Sequence, residues 1–167
     1  MPYLVRRCRR RAPETRNDIL SFRRSVSHSE AFDSPASAVW NILIDWPSIV
    51  DWMPGGLISH LEIEGTGVGA VRHIITHQGV RIAERLERAD ERAGQLELSI
   101  LEPLPWEMQS YNAIAQLDEL GPDKCSLRWE GRFELSEDGL AAEALVQLLG
   151  KSYRLMFAGL RQCLSAS

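Results

Sequence analysis

Apolar and polar positions alternate along this chain with a period that changes near the end. From Leu57 to Leu135 they alternate by twos between short turns, as in strands that bury one face. From about Asp138 to Leu164 the apolar residues return every three or four positions, as on a helix. Upstream, Arg23–Phe32 reads as a first strand. Val26, His28, Glu30 and Phe32 share one face, and Ser25, Ser27, Ser29 and Ala31 the other. A strand this polar suits a sheet edge or a position with mixed contacts. Asp33 or Ser34 can cap the helix that follows, and Pro35 suits its first position. Val39, Ile42, Leu43 and Trp46 form its buried stripe, and Pro47 stops it. A second short helix is expected over Ser48 to Trp52, ended by Met53-Pro54-Gly55-Gly56.

Six strands are then expected: Leu57–Glu64, Ala70–His77, Val80–Ala89, Gln95–Glu102, Trp106–Leu117 and Cys125–Leu135. Gln78-Gly79 closes a tight hairpin, and Pro103-Leu104-Pro105 makes a stiff corner. Ser136 is the expected cap of the last helix, with Glu137 and Asp138 near its positive end. The apolar stripe of that helix is Leu145, Leu148, Leu149, Ser152, Leu155, Met156, Gly159, Leu160 and Cys163. About 26 residues at 1.5 Å each reach roughly 40 Å. That is longer than a strand, so the helix must cross the sheet end to end. The expected fold is α+β: a seven-stranded curved antiparallel sheet wrapped around a long C-terminal helix, with two short helices after strand 1. The space between sheet and helix can become a cavity.

Composition adds bounds. The 167 residues, 44% apolar and 25% charged, suit one globular domain with a real core. No apolar run approaches the roughly 20 residues that span a bilayer, and Met1–Val5 is too short for a secretory apolar region before Arg6. A cytoplasmic protein without stable membrane insertion is expected. Eight arginines against Glu14 and Asp18 give the first 24 residues a charge of +6; with −4 overall, residues 25–167 carry −10. A basic tail can touch nucleic acid or anionic lipid. The plainer reading is a basic, disordered leader at 1–22 followed by a folded domain at 23–167, with no nucleic acid as partner and a homodimer left open. Cys8, Cys125 and Cys163 are odd in number and form no Cys-x-x-Cys pair, which fits reduced structural thiols.

The order of elements, together with several short segments, resembles the helix-grip fold of the START-like SRPBCC superfamily. The segments are Pro35-Ala36-Ser37-Ala38-Val39-Trp40 with Trp46-Pro47, then Gly67-Val68-Gly69-Ala70-Val71-Arg72. Glu84-Arg85-Leu86-Glu87, Leu96-Glu97-Leu98-Ser99-Ile100 and Tyr111 follow. The likeness covers roughly residues 25–165 and lies toward the polyketide cyclase/dehydrase branch, more distantly toward plant abscisic acid receptors. It implies a cavity between sheet and last helix that holds a hydrophobic or aromatic small molecule, lipid or polyketide-like, with no cofactor. The gate and latch motifs of the receptors are absent: His77-Gln78-Gly79-Val80 and Pro103-Leu104-Pro105-Trp106 stand in their places, and Asp51 stands near the position of their ligand-pairing lysine. Hormone binding by that mechanism is not expected.

Glu84 is the leading candidate for chemistry. Val80, Ile82 and Leu86 share its strand face, and a carboxylate among apolar neighbours must be paired, hydrogen-bonded or neutralised. Two readings stay open: a general acid or base beside bound substrate, aided by Tyr111, or a satisfied buried Glu paired with an Arg or with Tyr111. The resemblance also points Glu84 inward. For Glu130 the alternation of Leu127, Trp129, Phe133 and Leu135 points outward, while the resemblance points inward. The expected liners are Trp52, Ile74, Thr76, Ile82, Glu84, Leu98, Ile100, Tyr111, Ala113, Glu130, Leu148, Ser152 and Met156. His73 and His77 on one strand lie about 13 Å apart, too far to share a metal, so no metal site is expected. Gly65-x-Gly67-x-Gly69 opens a strand rather than a helix and reads as turn glycines, not a dinucleotide fingerprint.

Overall fold

The computed structural model describes residues 21–53 and 56–166 and has the expected order of elements. β1 (Phe22–Phe32) leads into α1 (Ala36–Ile44), a 3-10 turn at Trp46–Ser48 and the single-turn α2 (Ile49–Trp52). Then come β2 (Ile58–Glu64), β3 (Val71–Thr76), β4 (Arg81–Asp90), β5 (Gln95–Ile100), β6 (Met108–Gly121) and β7 (Lys124–Leu135), followed by α3 (Leu140–Ala166). The basic segment expected at 1–22 lies, up to residue 20, outside the described residues. No helix among the described residues is long and apolar enough to cross a membrane.

The seven strands form one antiparallel sheet in the order β1-β7-β6-β5-β4-β3-β2. From β2 to β7 each strand pairs with the next, and β1 returns beside β7, so the polar strand occupies an edge, the first of the two places its pattern suited. Period-two patterning holds in β7: Cys125, Leu127, Trp129, Gly131, Phe133 and Leu135 are buried, and the residues between them are not. Register shifts at Ile58/His60, Leu86/Arg88, Met108/Ser110 and Glu119/Gly121 bend the strands they interrupt. The result is a sheet with a concave face.

Two helix starts differ from expectation. Pro35 is itself the N-cap of α1, and no side chain caps that helix. α3 begins four residues after Ser136, behind Gly139 at φ 110. Asp138 instead accepts a hydrogen bond from the Gly139 amide and pairs with Arg24.

α3 packs most closely on β1, α1 and α2. The His28 ring meets Phe157 edge-on at 4.8 Å, and Arg161 Nη2 lies 2.5 Å from Glu30 Oε2. The helix buries Leu145, Leu149, Tyr153, Met156, Phe157 and Leu160. Because it leans on the β1 edge, it stands off from β3, β4 and β5, and the interior opens there.

Candidate functional site

The opening is a cavity of about 310 Å³. That lies near the lower end of the roughly 300–1,000 Å³ usual for small-molecule sites. Its floor follows from strand register. Arg72 on β3 is opposite Glu84 on β4, which is opposite Ile100 on β5, so three inward side chains stand in one row. The next row toward the rim pairs Ile74 with Ile82. α3 supplies Leu148, Leu149, Ser152, Leu155 and Met156 as a roof, and Ile49, Met53, Leu57 and Trp106 add to the lining.

Glu84 is not left alone in this apolar setting. Arg72 Nε donates to its Oε2 at 2.5 Å, and the Arg72 and Glu84 side chains are 4% and 16% exposed. The guanidinium carbon lies 3.8 Å from the ring centroid of Trp46, so the buried cation has a carboxylate on one side and an aromatic face on the other. The Trp46 Nε1 finds no hydrogen-bond partner among the described residues. Glu84 thus has a buried arginine as its partner. Arg72 escaped the sequence reading, although it shares the inward face of its strand with Ile74 and Thr76.

A second polar pair lies beside the first. The hydroxyls of Tyr111 on β6 and Tyr153 on α3 are 2.7 Å apart and buried. Gly131 makes this possible. A Cβ there would sit 1.9 Å from the Tyr153 hydroxyl and 2.9 Å from that of Tyr111, closer than packed atoms come. Burial pushes the Tyr153 hydroxyl up to about 12; the bond it shares with Tyr111 opposes the rise, and the Glu84 charge adds to it. The Tyr111 hydroxyl also stands well above its ordinary value, through burial first, then Tyr153, then Glu84. Both phenols are protonated near neutral pH, so they serve as hydrogen-bond donors and not as bases.

Of the expected liners, Ile74, Thr76, Ile82, Glu84, Ile100, Tyr111, Leu148, Ser152 and Met156 border the cavity. Leu148 is 42% exposed and belongs to its rim. Ser152 donates back to the Leu148 carbonyl at 2.9 Å, so its hydroxyl is already committed to its own helix. Four expected residues lie elsewhere. Trp52 is buried in the core, and its indole donates to Ser48 Oγ at 3.2 Å; Ile49 and Met53 face the cavity in its place. Leu98 and Ala113 oppose each other one row deeper in the sheet and are packed at 1% exposure. Glu130 points to the outer face between Arg128 and Arg132, at 2.8 Å from each. No bulge interrupts β7 there, so alternation decides its direction. His73 lies 3.5 Å from Glu64. No group of three or more His, Cys, Asp or Glu among the described residues could hold a metal ion.

Tyr153, Trp129 and Lys151 also border the cavity and were not expected there. Tyr153 follows Ser152, and the stripe on α3 lies slightly rotated from the one the apolar spacing suggested. The polar tip of Tyr153 hid that face.

No curated protein matches this chain significantly. Solved structures do. Norcoclaurine synthase from Thalictrum flavum, in complex with dopamine and hydroxybenzaldehyde, aligns over 97% of this chain and 98% of its own, with TM-score 0.73 and 15% identity. The protein XoxI from Bacillus cereus aligns over 84% of this chain and 94% of its own, with TM-score 0.70 and 24% identity. A Thermobifida fusca protein aligns over 85% and 93%, with TM-score 0.71 and 22% identity. At such identities the likeness is one of fold. Residues 23–164, from β1 to near the end of α3, match the sequence profile described as polyketide cyclase / dehydrase and lipid transport. The chain belongs to that family, within the START-like SRPBCC superfamily of helix-grip proteins.

Proposed function

We propose that this protein binds one hydrophobic or aromatic small molecule in the cavity between β3–β5 and α3. The observation that carries the reading is a mostly apolar interior space that the core leaves unfilled, with ionic and phenolic side chains gathered at one end. Burial of the ligand's apolar body supplies the driving force, and Glu84 and Tyr111 orient it. The cavity volume favours a molecule of two or three fused rings, or one short chain, over a two-chain lipid. Dopamine and hydroxybenzaldehyde, held by a structural neighbour, are of a size this space would take. Fluorescence titration with 1-aminoanthracene tests the reading. One saturable site in the wild type, lost in the cavity-filling variant Ile82→Trp, is the expected outcome. Absence of binding, or equal binding by both proteins, contradicts it.

A second reading has its own observation. The Glu84 carboxylate borders the cavity, with Arg72 Nε bonded to its Oε2. A carboxylate beside bound substrate can take a proton α to a carbonyl, and the free hydrogen of the phenol couple can be donated to the resulting enolate oxygen. This makes Glu84 a base rather than an acid. Deuterium exchange at the α-carbons of 2-tetralone, followed by NMR, checks it. Exchange accelerated by the wild type and lost in Glu84→Gln supports catalysis; no acceleration leaves only binding.

A further inference from the structure

We propose that the polar end of the cavity selects an uncharged hydroxyl head group, whose oxygen accepts from the Tyr111–Tyr153 couple and donates to Glu84. This rests on the ligand-binding reading above.

Each phenol carries one hydrogen. The 2.7 Å contact between Tyr111 and Tyr153 uses one of the two, whichever residue gives it. One phenol hydrogen is left to give. Glu84 presents the complementary acceptor: Oε2 takes the Arg72 bond, and a carboxylate that borders the cavity has lone pairs beyond that one bond. A hydroxyl oxygen satisfies both groups at once. A methyl ether can only accept, and a hydrocarbon can do neither.

Charge narrows the choice further. Arg72 is engaged by Glu84 and by the Trp46 ring, so no cation at this end is left to balance an anion. A carboxylate head would face Glu84 directly. Lys151, the other cation bordering the cavity, sits exposed on α3 at the rim. A cationic head would set a second positive charge beside the buried Arg72 against a single carboxylate, which is costly. The couple is a built feature, because it needs both tyrosines and the absence of a side chain at Gly131.

Calorimetry with four probes on one ring system tests the proposal: 2-naphthol, 2-methoxynaphthalene, 2-methylnaphthalene and 2-naphthoate. The wild type should bind 2-naphthol roughly tenfold more tightly than 2-methylnaphthalene, the worth of one net hydrogen bond, and 2-naphthoate most weakly. In Tyr111→Phe/Tyr153→Phe the naphthol preference should fall to about twofold or less. That variant removes both ends of one buried hydrogen bond, a change that proteins tolerate better than losing one end. Should it not fold, the wild-type ranking alone decides. Equal affinities, tightest binding of 2-naphthoate, or a preference that survives in the double variant overturns the proposal. If none of the four binds while 1-aminoanthracene still saturates, only the head-group assignment fails. If 1-aminoanthracene fails as well, the ligand-binding reading falls with it.

Discussion

Gly131 has no side chain, and two tyrosines converge on the space a side chain would take. Gly131→Ala should destabilise the fold by about 1–3 kcal/mol through overpacking, lowering the melting temperature by about 2–4 °C per kcal/mol for a chain of this size. Tyr153→Phe in the same chain should restore part of the loss, because the nearest atom is the Tyr153 hydroxyl. The Arg72–Glu84 pair gives a sharper contrast. Arg72→Leu alone strands a buried carboxylate and should cost about 3–5 kcal/mol, whereas Arg72→Met with Glu84→Leu should recover most of it; chemical denaturation measures both. The tyrosines also set a pH dependence. A phenol whose folded pKa is raised stabilises the fold fully below its unfolded value and loses that contribution as pH climbs through the folded one. With Tyr153 moved from 10.0 to about 12, on the order of 3 kcal/mol should disappear between those pH values. Melting curves over that range should show the drop, and the double Phe variant should flatten it. Glu84 was legible as a carboxylate that shares a strand face with Val80, Ile82 and Leu86. Arg72 was equally legible by alternation, but a lone Arg in a strand reads as solvent-facing until its partner is known.

At the scale of elements, α3 carries an unneeded weakness. Gly150 lies inside the helix, and a Cβ there would meet Val26 Cγ1 at 3.6 Å, an ordinary contact. Gly150→Ala should therefore stabilise by about 0.5–1 kcal/mol through helix propensity, raising the melting temperature by a few degrees. The number and order of strands and helices followed from periodicity and turn residues, because a change of period is a property of the sequence itself. The helix starts did not follow. Ser136 has the chemistry of a cap, yet Gly139 at φ 110 turns the chain three residues later. The corner after β5 was read as stiff from its prolines. Its left-handed residues, Trp106 at φ 55 and Glu107 at φ 59, carry no marker, since neither residue type favours that region. That geometry sets the Trp106 side chain at the rim of the cavity.

For the whole molecule, the consequence of the fold is unfilled space. Bulges bend the sheet, α3 leans on the β1 edge, and the floor of β3–β5 stays uncovered. The existence of such a space could be expected from one long helix against one curved sheet. Its walls could not all be named, because the depth of a residue depends on the row it occupies, and rows are set by register. Leu98 and Ala113 have the right direction and the wrong row. The most direct test follows the methyl resonances of the protein by NMR during addition of 1-aminoanthracene. Ile74, Ile82, Ile100 and Met156 should shift together and saturate at one equivalent, while Ile114, on the outer face of β6, stays in place. Shifts confined to outer-face methyls, or none at all, would show that no ligand enters the space beneath α3.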